Sequence, residues 1–113
     1  MIHQVYVAGR YTAPTRTQEV QNIYAALKAA CALTKKGWRP IVPHAAGSHR
    51  VTWDEAMDRC LSTIQGMTPE RDCLVLLPGW EESRGAVEER ELATALGLPV
   101  LTLDEALAGE DVA

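Results

Sequence analysis

Cys73-Leu74-Val75-Leu76-Leu77-Pro78-Gly79-Trp80 is the stretch that decides the fold. Its first five residues form a continuous apolar run of strand length. The lack of alternation means burial on both faces, as in the middle of a parallel sheet. Pro78-Gly79 ends the run as a turn. Ser83 then stands as an N-cap for a helix running to about Leu96, with Gly97 as its stop.

Reading outward, the same alternation of strand and helix recurs. Ile2 to Ala8 reads as a first strand closed by Gly9, and Arg10 to Thr17 as a loop broken by Pro14. From about Gln18, Val20, Ile23, Tyr24, Leu27 and Cys31 recur at helical steps and predict the buried face of a first helix, closed by Lys35-Lys36-Gly37. Trp38 to Val42 is a second strand, and His44 to Val51 a loop. Thr52-x-x-Glu55 has capping-box spacing and opens a helix with an apolar face of Trp53, Ala56, Met57, Cys60, Leu61 and Ile64. Pro99 to Leu103 is a last strand and Asp104 to Ala108 a short final helix. The order β-α-β-α-β-α-β-α predicts an α/β class: a single Rossmann-like (flavodoxin-like) three-layer domain spanning 1–113. Its parallel sheet should have about four to five strands, with helices on both faces. Ligands bind outside the C-terminal ends of such strands. That directs attention to Gly9–Tyr11, Pro43–His44 and Pro78–Gly85.

Composition narrows the function classes. With 113 residues, 11 Lys and Arg against 15 Asp and Glu, a net charge of −4 and 47% apolar residues, the chain is a globular domain. Its acidity points away from a nucleic-acid polymer, which needs a basic face. No apolar run approaches a membrane span, and Met1-Ile2-His3-Gln4 lacks the basic and apolar parts of a secretion signal. Three widely spaced cysteines, Cys31, Cys60 and Cys73, form no CxxC and read as core residues of a protein in the reducing cytoplasm. His44 and His49 lie five apart with no carboxylate at ligand spacing, so neither a metal nor another cofactor is expected. Neither GxGxxG nor a Walker A loop occurs.

Three segments carry candidate chemistry. Gly9 permits close backbone approach to a ligand, Arg10 can pair an anion, and Tyr11 follows them. His44, just past the second strand, can touch a ligand. In Gly79-Trp80-Glu81-Glu82-Ser83-Arg84-Gly85, a serine cap, a helix start and an arginine together can hold a phosphate. On the following helix, Glu89 lies on the stripe Ala86–Glu89–Ala93–Leu96, spaced three, four and three. Glu88 shares a face with Leu92 and Ala95, so periodicity leaves both glutamates open. Asp72, at the N-terminal end of the third strand, is on the wrong edge for the site and reads as structural.

Val5-Tyr6-Val7-Ala8-Gly9, Leu76-Leu77-Pro78-Gly79-Trp80, Ser83-x-Gly85-Ala86-x-x-Glu89 and Ala93-x-x-x-Gly97-x-Pro99-Val100 resemble the nucleoside 2-deoxyribosyltransferase-like superfamily. The likeness is to its small bacterial and phage branch and covers nearly the whole chain. It implies cleavage of an N-glycosidic bond of a nucleoside or (deoxy)nucleoside 5′-monophosphate; hydrolysis is slightly preferred over transfer, because Arg10, Arg84 and the serine cap suggest a phosphate. By the motif's spacing Glu89 is the nucleophile and Glu88 is one residue off. Gly9, Ser83 and Gly85 match the phosphate-binding positions, with Arg10 and Arg84 beside them. The family's general-acid aspartate falls eight residues before Asp72, where this chain has Ile64. With an insertion between Gln65 and Arg71, Asp58 takes that role. The resemblance also implies a homodimer or higher homo-oligomer. The competing expectations are a non-catalytic nucleotide-binding or sensor module and an NAD-cleaving glycohydrolase.

Overall fold

The computed structural model describes residues 3–43 and 52–109. Four parallel strands form one sheet: β1 (Gln4–Ala8), β2 (Arg39–Ile41), β3 (Cys73–Leu76) and β4 (Val100–Thr102). Their order is β2-β1-β3-β4. The helices are α1 (Arg16–Lys35), α2 (Trp53–Gln65), α3 (Arg84–Ala95) and α4 (Leu103–Ala108), with a 3₁₀ turn at Trp80–Glu82. This is the expected Rossmann-like α/β domain. The order reverses between β1 and β3, the switch point where such sheets leave a crevice at their C-terminal ends.

Side-chain alternation on the two central strands builds both cores. Val5 and Val7 of β1, with Cys73, Val75 and Leu77, face Ala26, Ala29 and Leu33 of α1 and Ala106 of α4. Tyr6 and Ala8, with Leu74 and Leu76, face Ile64 of α2 and Ala86 and Ala93 of α3. All of β3 is buried, as its unbroken apolar run predicts.

Three expectations are corrected. The helix α1 begins at Arg16 instead of about Gln18, because the Thr15 hydroxyl accepts from the Gln18 amide at 3.2 Å and caps it. Its buried face is Ala26, Ala29, Ala30 and Leu33, while Val20, Tyr24 and Leu27 are 49%, 68% and 42% exposed and Cys31 is exposed. Small alanines let the helix lie close on the sheet with Leu33 beside them, and Val20, Tyr24 and Leu27 are left on the outside. At the other end of the chain, Thr102 and Glu105 form a reciprocal capping box that starts α4 at Leu103. Asp72 is structural, as expected: buried, it accepts from the amides of Gln4 at 3.0 Å and Thr68 at 2.7 Å. It thereby ties the start of β1 to the turn before β3.

Candidate active site

The turn after β3 is built by its own sequence. Gly79 adopts φ +85, a left-handed conformation that favours glycine. The Trp80 amide donates to the Leu77 carbonyl at 3.1 Å and the Ser83 amide to the Trp80 carbonyl at 2.9 Å. Ser83 then caps α3, its hydroxyl accepting from the Ala86 amide at 3.2 Å. Gly9 ends β1 against β3 so closely that a β-carbon there would lie 2.9 Å from that of Leu77. The loop beyond it is held by Asn22 of α1, which donates to the Tyr11 carbonyl at 3.1 Å.

Between these turns and the first half of α2 lies a cleft of about 450 Å³. Gly9, Arg10 and Tyr11 contribute one wall, Ser83, Arg84 and Gly85 another, and Trp53, Met57 and Cys60 of α2 a third. The lack of a side chain at Gly85 admits Met57, whose sulfur would come within 3.1 Å of a β-carbon there. Glu89 lines the base of the cleft with only 5% of its surface exposed.

The Glu89 environment sets its chemistry. Tyr6, wholly buried in β1, donates its hydroxyl to Glu89 Oε2. Burial pushes the Glu89 carboxyl up to about 7, opposed by hydrogen bonds from Tyr6 and from the Cys60 thiol. Burial likewise raises Tyr6 far above the phenol range and raises Cys60, so both stay protonated and remain hydrogen-bond donors at neutral pH. A carboxylate with this value is divided between ionised and protonated forms near neutrality. It can act as a nucleophile or as a proton donor.

Arg10 Nη1 meets Glu82 Oε2 at 2.9 Å across one rim of the cleft. Arg84 lies over the Trp53 ring, its guanidinium carbon 4.2 Å from the ring centroid, and approaches Glu88 at 3.4 Å. Glu88 therefore points along α3 toward Arg84, and Glu89 is the glutamate that enters the cleft.

The structure brings together Gly9, Arg10, Tyr11, Ser83, Arg84, Gly85 and Glu89. It does not bring in three others. Asp58 is exposed on α2 and does not line the cleft, because it falls off the Trp53–Met57–Cys60 stripe that does. Gly79 lies beneath the Arg10 side chain, where a β-carbon would meet Arg10 Cδ at 3.3 Å. Trp80 packs against the core under Arg90, 5.4 Å from its ring centroid. His44 and His49 lie outside the described residues. Sequence reasoning missed Tyr6, Trp53, Cys60 and Glu82. Tyr6 and Cys60 sit in apolar patterns that read as core, and only Cys73 of the three cysteines is fully buried. The one available signal for Tyr6 is a hydroxyl-bearing side chain between two valines in the apolar part of the strand.

Among the described residues no group of three His, Cys, Asp or Glu side chains could hold a metal ion. No helix among them is long and apolar enough to cross a membrane. Fold and site together define a Rossmann-like domain with a carboxylate-based cleft at its switch point. Residues 3–102 match the family model described as a domain of unknown function (DUF4406), and the chain belongs to that family. No curated protein matches it.

Proposed function

We propose that the chain cleaves the N-glycosidic bond of a nucleoside or (deoxy)nucleoside 5′-monophosphate, with Glu89 as nucleophile and hydrolysis preferred over transfer. The observation that carries this reading is a single buried carboxylate, oriented by Tyr6, at the base of a nucleotide-sized cleft. Its ionised form attacks the anomeric carbon as the base leaves with the bonding electrons. Water then attacks the same carbon, breaks the glycosyl ester and frees the carboxylate, and the proton it loses balances the one the released base takes up. Ser83, Gly85 and Gly9 supply a helix start and close backbone at the rim, and Arg10 and Arg84 supply positive charge for a 5′-phosphate. The resemblance to nucleoside 2-deoxyribosyltransferase-like proteins supports the same roles. A homodimer or larger assembly accords with the exposed Val20, Tyr24 and Leu27 of α1.

One observation favours a second reading, a nucleotide-binding or sensor module without catalysis. Asp58 stands outside the cleft, so the leaving base must take its proton elsewhere. Chromatography for free base separates the two. Purified protein and Glu89→Ala are incubated with nucleosides, deoxynucleosides, their 5′-monophosphates and NAD. Base release by the wild type alone is expected. Binding without release supports the sensor, and nicotinamide release from NAD supports an NAD glycohydrolase.

A further inference from the structure

Among the described residues lining the cleft there are two carboxylates, Glu89 at its base and Glu82 at its rim. Glu82 has no place in the bond-cleavage scheme above. It closes the 3₁₀ turn immediately before the Ser83 cap, beside the positions proposed to receive a phosphate. Its carboxylate holds Arg10 at 2.9 Å. The contact is built into the backbone. Arg10 comes from the end of β1 and reaches Glu82 by lying over Gly79, whose missing side chain leaves room for the arginine stem at 3.3 Å from where a β-carbon would stand. A larger residue at 79 would meet both this stem and the strain of φ +85.

We propose that Glu82 is the resident counter-ion of the anion subsite and sets how strongly the cleft favours phosphorylated over unphosphorylated substrates. This rests on the phosphate-binding part of the function proposed above. A 5′-phosphate entering between Arg10 and Ser83 competes with Glu82 for the guanidinium and meets a like charge beside it. Both partners are exposed, at 43% and 70% of their side-chain surface, and such pairs are weak enough to be exchanged. Glu82 therefore lowers phosphate affinity without abolishing it. A nucleoside lacking the phosphate leaves the Arg10–Glu82 pair intact.

The test is calorimetric titration with inorganic phosphate of the wild type, Glu82→Gln, and Glu82→Gln combined with Arg10→Gln. Glu82→Gln is expected to bind phosphate up to about fivefold more tightly, the factor that an exposed ion pair's worth converts to. The gain should shrink at high ionic strength and vanish in the double variant. In the base-release assay, KM for a deoxynucleoside 5′-monophosphate should fall relative to KM for the matching nucleoside. Unchanged or weaker phosphate binding by Glu82→Gln, or no phosphate binding by either protein, overturns the proposal. Base release that persists in that case leaves the glycosidase reading standing. Conversely, tighter phosphate binding with no base release from any substrate upholds the role of Glu82 and overturns the glycosidase.

Discussion

Glu89 and Tyr6 form one hydrogen-bonded unit assembled from two elements, a carboxylate on α3 and a hydroxyl fixed in the central strand β1. If Glu89 attacks as the ionised form, kcat/KM for base release should rise about tenfold per pH unit below about 7 and level off above it. A rate that falls through the same range would instead make Glu89 the proton donor. Tyr6→Phe removes a donor to the carboxylate. The expected result is a roughly ten- to hundredfold loss of activity, with the ascending limb moved to higher pH. The shifted limb separates a positioning role from a merely structural one. Glu89 was legible in the sequence because its flanking alanines and the Ser-x-Gly spacing agree. Tyr6 was not, since a tyrosine between two valines in a strand reads as packing, and it does both.

At the scale of elements, the turn between β3 and α3 carries most of the site, and the Ser83 hydroxyl is its joint. Ser83→Ala should lower stability by about 1 kcal/mol in urea unfolding through loss of the cap. It should also weaken monophosphate binding more than nucleoside binding. This turn was readable from Pro78-Gly79 and the serine cap. The face of α1 was misread for a physical reason. Hydrophobic periodicity weights large side chains, and here Val20, Tyr24 and Leu27 point outward while alanines meet the sheet. The α2 stripe reads in the sequence as one continuous apolar face. Its first half, Trp53 to Cys60, lines the cleft and its far end, Ile64, is core. Periodicity identifies a face but does not say whether sheet or cavity lies opposite. That distinction depends on where the helix overhangs the ends of the strands.

For the whole molecule, burying Glu89 makes folding depend on pH in a direction opposite to that of an ordinary paired carboxylate. Its pKa is raised from 4.5 to about 7 on folding, so the folded protein holds the proton more tightly than the unfolded chain. The stability this confers is fully present below the unfolded value and is lost as pH rises through about 7. Glu89→Gln is neutral throughout and escapes the loss. Above pH 8 it should be more stable than the wild type by about 3 kcal/mol, the equivalent of that shift. By pH 4.5 the gap should nearly close. Thermal melts of the pair across that range measure it. A gap that stays constant with pH would mean that the carboxylate is not desolvated in the folded protein.

The stacking of Arg84 on Trp53 has a further consequence. Trp53 lines the cleft, whereas Trp38 packs edge-on to His3 and Trp80 lies under Arg90. A ligand that draws Arg84 toward its own negative charge uncovers one face of the Trp53 indole. Tryptophan emission should therefore shift on phosphate or nucleotide addition in the wild type and stay constant in Trp53→Tyr. Such a shift would make Trp53 an optical gauge of the cleft, reporting occupancy independently of any chemistry.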